Sequence, residues 1–368
     1  MYPITSEHAA LLSQSHRAEF RFEALYGAGV SVGSVPVTSD GGLTFSAGAV
    51  VQASGSVRLA GSGGSLVPRS KSDKLAPFGQ ELRVSRVDFA GDAEFVTPVG
   101  QFRITEVTSA KTFFANFPSV LAGAGWLVEL SLADRFEQIQ ADEFLYPEAP
   151  QQISSTWGEI QRLSPIPIVV AAALPDRVIP AGLAYPDSRL EAITMLMANL
   201  GGVPALTRAG ALTGRVKDAW LTATAPVFVI DGVIEMDDSF SNEVYNAVVV
   251  KSSAGENSLV AVRQITDRGN PLNVTDMGRR TYRFSSPLLT NQNAINEAAD
   301  TVLARVSTRL SKTVKVTCLP FPHLDLGDFI QVNDPESGRV VLGEIASISA
   351  PFDALGSMSL ELVAAETR

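Results

Sequence analysis

Cysteine is almost absent: Cys318 is the single one in 368 residues. A lone thiol excludes an intrachain disulfide and a cysteine-rich zinc site. Set in the alternating run Thr313 to Leu319, it reads as a buried, inert side chain rather than a nucleophile. Histidine is nearly as scarce, with only His8, His16 and His323. No two of them stand at the spacing of a metalloprotease helix, and His16 and His323 read as residues at strand ends. Charged residues make up only 18% of the chain, and the net charge is −10. Gripping phosphates needs clustered Lys and Arg, so this balance argues against a stable nucleic-acid surface, while it suits a channel that DNA merely passes through. Long apolar runs are missing too: Ile166 to Leu174 is about half of the ~20 residues a membrane span needs. The start, Met-Tyr-Pro-Ile-Thr-Ser-Glu-His, has neither the basic opening nor the apolar core of a signal peptide. The expectation is a soluble chain made in the cytoplasm, without stable membrane insertion.

Hydrophobic residues, by contrast, make up 45% of the sequence. A chain of this length is too long for one compact core and fits two or three domains, and its low charge leaves apolar surface for a partner. A three-strand pattern occurs twice. The first copy reads Gly79-Gln-Glu-Leu82-Arg-Val84, Gly100-Gln-Phe102-Arg-Ile104 and Val128-Glu129-Leu130. The second reads Gly327-Asp-Phe-Ile330-Gln-Val332, Gly343-Glu-Ile345-Ala-Ser-Ile348 and Leu360-Glu361-Leu362. Each line is a glycine turn feeding an alternating strand, and three such strands make a meander that curls into a small barrel.

The spacing predicts a short helix over residues 4 to 15. A half-buried strand over Arg17 to Leu25 follows, with Ala18, Phe20, Phe22 and Ala24 on one face. Further strands fall at Val57 to Leu59, Leu82 to Val87, Phe95 to Ile104 and Trp126 to Leu132, with Gly61 to Ser70 as a flexible loop. Prolines then punctuate the chain, and two helices are expected there. One opens at the capping box Ser188-Arg-Leu-Glu191, and a shorter one at Thr156-Trp-Gly-Glu159. Strands return at Val244 to Val250, Leu259 to Ile265 and Thr281 to Phe284. A helix capped by Thr290 or Asn291 follows, and four closing strands lie within 314–364. The expected fold is mainly β with an α+β insert, as two similar small β-barrels flanking a middle domain. The boundaries are 1–146 for the N-terminal helix and first barrel, 147–235 for the middle α+β domain, and 236–368 for the second barrel with an embedded helix.

No catalytic, cofactor-binding or metal-binding residue is assigned, because each candidate has a simpler role. Asp134 with Glu137, or Asp237-Asp238, have the chemistry of a glycosidase pair, yet acids at turns and helix starts serve as caps. Asp325, Asp328, Asn333, Asp334 and Glu336 lack the spacing and central glycine of a calcium loop. Trp126, Trp157 and Trp220 are scattered. Phe113, Phe114 and Phe117 form the one tight aromatic group, and they are the interface candidates.

The opening Met1-Tyr2-Pro3, Ser15-His16-Arg17 leading into a strand, Leu75-Ala-Pro-Phe-Gly79-Gln-Glu-Leu82, and Val99-Gly100-Gln-Phe102 together resemble the minor tail proteins of long-tailed bacteriophages. Val244-Tyr245-Asn246-Ala247, Tyr282-Arg-Phe-Ser-Ser-Pro-Leu-Leu289 and Pro322-His-Leu324-Asp-Leu-Gly327-Asp328 resemble that family's second half. Such proteins are similar to the baseplate, or tail tip, hub. The resemblance implies a homotrimeric virion protein that adapts a sixfold tail tube to a threefold central spike or fibre and lines the ejection channel. Implied partners are the tail tube or distal tail protein, the fibre or spike, other minor tail proteins and the tape measure protein, with DNA only in transit. The same barrel also occurs in hexameric distal tail ring proteins, which have one barrel per chain, and tail tips also carry cell-wall hydrolases.

Overall fold

The structure, a computed structural model, describes residues 1–26, 30–38, 40–62, 66–116, 120–185, 187–221, 223–240, 244–252, 259–286, 288–289, 291–308, 312–354 and 356–364. It opens with α1 (Ser6–Leu12), β1 (Arg17–Tyr26), β2 (Val30–Val35), β3 (Gly41–Ser46), β4 (Ala53–Ser62), β5 (Glu81–Ala90), β6 (Ala93–Asn116) and β7 (Val120–Ala133). Next come α2 (Phe136–Ala141), α3 (Thr156–Leu163), α4 (Arg189–Asn199), β8 (Gly202–Leu206) and β9 (Leu212–Val216). Then follow β10 (Phe228–Ile230), β11 (Val233–Phe240), β12 (Ala247–Ser252), β13 (Val260–Gln264), β14 (Thr281–Ser286) and α5 (Gln292–Thr308). The last strands are β15 (Lys312–Cys318), β16 (Phe329–Asn333), β17 (Val340–Pro351) and β18 (Met358–Ala364). The fold is mainly β.

Local chemistry explains the elements. In β1, Phe22 and Ala24 are buried, while Arg21 on the other face forms a fork with Glu94, at 2.8 and 2.9 Å. Ser188 caps α4 by accepting from the Glu191 amide. The cap of α3 is Ser155, not Thr156: the Ser155 hydroxyl accepts from the Gly158 amide at 2.9 Å. Thr156 instead donates its hydroxyl to the Arg177 carbonyl at 2.6 Å, so a tertiary partner outcompetes the capping role. For α5 the cap is Asn291, which accepts from Ala294 at 2.9 Å; Thr290 lies outside the described residues. The first helix is shorter than the span 4–15, because Ser13 already has non-helical angles.

Among the described residues one sheet of 13 strands runs β11-β15-β18-β17-β3-β4-β7-β6-β5-β1-β2, with β16 joining β17 and β10 joining β16. Within it the same unit occurs twice. The strands β3, β4, β5, β6 and β7 correspond, in chain order and in neighbours, to β11, β15, β16, β17 and β18. Registers agree pair by pair. Val84 faces Gly100 as Val332 faces Val341. A bulge follows at Ile104/Glu106 and at Ile345/Ser347. Beyond it, Ile104–Leu132 and Val107–Leu130 match Ile345–Leu362 and Ile348–Leu360. Val57–Leu130 matches Val316–Leu360 on the far side. Even the entry bond recurs, from Ile104 N–H to the Gln80 carbonyl at 3.0 Å and from Ile345 N–H to the Asp328 carbonyl at 2.9 Å.

This register corrects the sequence repeat at two of its lines. Gly100 corresponds to Val341 rather than Gly343, and Leu130 to Leu360 rather than Leu362. A slip of two residues leaves every side chain on its own face, so alternation alone could not fix it.

Each unit has its own core. Val57, Leu82, Phe102, Ile104 and Leu130 pack in the first, and Val316, Ile330, Ile345, Leu360 and Leu362 in the second. A third core joins α2, α3, α4 and β9, and it takes in Phe136, Ile139 and Phe144 on the N-terminal side of residue 147. The strands β12, β13 and β14 form a separate sheet, with α5 packed over Val248 and Val250 as a fourth core. That sheet and helix sit between β11 and β15, in the position of the short β3–β4 turn of the first unit.

Candidate functional site

The two units meet at a strand joint. Beyond the bulge, β17 has no β16 opposite it, and β3 fills the vacant edge with Ser347 facing Ser46, Ile348 facing Phe45, Ser349 facing Thr44 and Pro351 facing Gly42. Phe45 touches the cores of both units. The joint makes one sheet of two copies.

A second contact fixes the angle between the copies. The β8–β9 hairpin turns through Gly210 at φ +75 and carries Arg208 at its tip. The Arg208 guanidinium donates to the carbonyls of Pro98 and Pro322, both at 2.7 Å, and to Asp325 at 2.8 Å. It also covers the Tyr2 ring, 4.8 Å from its centroid. Pro98 belongs to the first unit, and Pro322 with Asp325 to the second. One side chain therefore ties the hairpin to both. Arg135 steadies the same turn, donating to the Gly210 carbonyl at 3.0 Å while paired with Glu81 at 2.6 Å. A cleft of about 950 Å³ opens here, lined by Phe45, Pro98, Arg208, Arg215 and Asp328 among others. Burial pushes the Asp328 carboxyl up, against the pull of the Met1 ammonium.

Histidine and acid candidates resolve into structural roles. Asp88 is fully buried and accepts from His8 Nε2 and His16 Nε2, each at 2.9 Å, and from Arg86 Nε at 2.8 Å. Burial works to raise its carboxyl, but the Arg86 charge and the three donors prevail and hold it below its usual value. The cluster pins α1 and the start of β1 onto β5. His323 lies among Phe228 and Phe321, with ring centroids 4.7 and 6.1 Å away. Neither of its ring nitrogens has a hydrogen-bond partner, and burial pushes its pKa down to about 4. Asp134, raised by burial to about 6, accepts from the amides of Ala53 and Phe136 at 2.6 and 2.9 Å. Glu137 turns instead to Arg103, so the two acids do not act as a pair. Asp238 pairs with Arg339.

The residues set aside as a calcium loop hold separate protein partners: Asp325 pairs with Arg208, Asp328 accepts from the Met1 ammonium and the Asp325 amide, Asn333 donates to Asp231, and Asp334 closes its own turn on the Glu336 amide. Among the described residues no three His, Cys, Asp or Glu side chains gather as a metal site. Trp157 and Trp220 are buried at 5% exposure, so neither offers a face to a glycan. Phe113 and Phe114 lie on β6, opposite Ala124 and Gly123; their side chains, and Phe117 altogether, lie outside the described residues. Sequence reasoning missed Arg208 and Arg135, since isolated arginines in a loop carry no motif. The signal it had for the joint was the repeat itself.

No protein-family model and no curated protein matches the chain. Solved structures do match over nearly the whole length. A tail protein from Neisseria meningitidis aligns at 14% identity and a TM-score of 0.62, covering 95% of this chain and 97% of that one. The 43 kDa tail protein of prophage MuSo2 from Shewanella oneidensis aligns at 14% identity and 0.57, over 94% and 98%. The prophage tail protein gp18 from Listeria monocytogenes aligns at 9% identity and 0.52, over 94% of each chain. This chain has the fold of those tail proteins.

Proposed function

We propose that the chain is a structural hub of a phage tail tip or baseplate, in which three copies present six equivalent five-strand units to a sixfold tube and a threefold face to a spike or fibre. The observation that carries this reading is the duplication of the five-strand unit with its register intact. A trimer of duplicated chains satisfies both symmetries with one surface repeated six times. The alternative, a hexameric distal tail ring, needs only one unit per chain, and the second copy here favours the hub. The aromatic group Phe113, Phe114 and Phe117 is proposed as a contact to a neighbouring tail component. A role in the virion, with DNA passing through the ring and no bond-breaking chemistry, completes the proposal. Native mass spectrometry and averaged electron micrographs of the purified chain test it. A trimeric ring with six similar lobes is expected; a hexamer, or a ring wall built from one unit only, would reject it. Peptidoglycan hydrolysis by the chain alone would overturn the structural role.

A further inference from the structure

The two units are joined on only one of their two equivalent sides. In the second unit, the edge of β17 past the bulge is covered by β3 of the first unit. The matching edge in the first unit, β6 from Thr105 onward, faces no strand among the described residues, because β5 ends its pairing at Arg103. The strand that corresponds to β3 is β11, which stands at the end of the sheet path and, among the described residues, pairs only with β15. Among the described residues, each chain therefore leaves one strand edge of each kind unpaired. Unpaired N–H and C=O groups along a strand edge are a template for another strand, and the intrachain joint shows which strand fits.

We infer that β11 of one copy pairs antiparallel with the 106–110 stretch of β6 in the next copy, repeating the β3–β17 joint. This rests on the trimeric hub reading above and supplies its subunit interface. Transferring the observed register places Val107 opposite Phe240, Thr108 opposite Ser239, Ser109 opposite Asp238 and Ala110 opposite Asp237, where the chain itself has Ile348–Phe45, Ser349–Thr44, Ala350–Leu43 and Pro351–Gly42. Burial agrees with one joint made and one waiting. Ile348 is buried under Phe45, whereas its counterpart Val107 is only half-buried. Thr108, Ser109, Asp237 and Ser239 are exposed. A phenylalanine recurs at the key position, Phe240 for Phe45. One position differs: Asp238 stands where Leu43 does, and its carboxylate is held by Arg339 of its own chain.

Because the two edges are different surfaces, the contact is head-to-tail, and successive copies close a ring when the rotation permits.

Cysteines at Thr108 and Ser239 test the pairing in the full chain. Residues directly opposite in an antiparallel pair have Cα atoms about 4.5–5.5 Å apart, within disulfide reach, while a diagonal pair at ~7–8 Å is outside it. The native Cys318 is buried, with its pKa pushed up to about 12, and does not compete. Oxidised T108C/S239C should run as dimer and trimer bands that collapse to monomer on reduction, and the shifted pair E106C/S239C should not. A mixture of the two single variants should stop at dimer. A native trimer without these links would overturn the joint and leave the hub reading standing. A ladder reaching six copies would uphold the joint and reject the trimer. A chain that stays monomeric and unlinked at high concentration would reject both.

Discussion

At the residue scale, buried ionisable groups decide how stability depends on pH. His323 stays neutral in the folded chain down to about pH 4, whereas an unfolded histidine takes up its proton near 6.5. Between those values the unfolded state binds more protons, so the contribution is intact above about pH 6.5 and is lost as pH falls toward 4. Asp134 acts with the opposite sign. Its folded pKa of about 6 lies above the ordinary carboxyl value, so from about pH 6 down to 4 the folded state holds the extra proton and stability rises as pH falls. The two trends offset each other, and replacing His323 with Phe exposes the difference. Relative to the unchanged chain, H323F should gain about 2–3 kcal/mol between pH 7 and pH 4, read from urea midpoints; a pH-independent difference would contradict this. Asp88 makes the sharper single-site prediction. Removing a buried carboxylate that accepts from three donors, Arg86 among them, leaves an uncompensated charge, so Asp88→Ala should cost about 3–5 kcal/mol.

At the element scale, two equivalent turns differ in one testable way. Gly79 and Gly327 open the corresponding strands β5 and β16 with φ of +102 and +81. A methyl group at Gly79 meets no atom within 4 Å, while at Gly327 it would meet the Arg215 side chain at 2.5 Å. Gly79→Ala should therefore cost about 1–2 kcal/mol from backbone strain alone, and Gly327→Ala more, because Arg215 must also move. Equal losses in thermal unfolding would count against that difference. Most strands were legible in the sequence because period-two alternation reports a half-buried strand directly: Arg17 to Leu25 is β1 with one residue added. Their pairing was not legible. The strands β12 to β14 read like the strands around them, yet they leave the large sheet, because α5 covers their apolar face locally.

At the scale of the whole molecule, Arg208 ties the β8–β9 hairpin to both copies of the unit, and in the proposed trimer the angle held in this way would decide whether the ring closes. Arg208→Lys keeps the charge but not the fork that reaches three carbonyls and Asp325. The variant should fold with a stability loss of about 1–3 kcal/mol and lose the proposed trimer in native mass spectrometry. An unchanged trimer would show that the guanidinium does not set the geometry. The acidic balance of −10 predicts that the proposed ring, once assembled, leaves DNA free to move, since each phosphate contact would otherwise add affinity that salt weakens. Tight, salt-sensitive retention of DNA in a filter-binding measurement would contradict a passive channel.

By itself the sequence determined the β-rich character, the helix cap at Ser188, the scarcity of metal-binding side chains and the existence of a repeat. All of these are local, set by spacing along the chain and by composition. Tertiary structure alone decided the rest: the two-residue offset in the repeat, the joint between β3 and β17, the separate β12–β14 sheet and the meeting of Arg208 with Pro98 and Pro322. A strand's alternation tells which face is buried, and it is unchanged by a slip of two residues or by a change of neighbour. Which edge pairs with which is fixed by long-range hydrogen bonds and core packing, and those join residues as distant as Phe45 and Ile348.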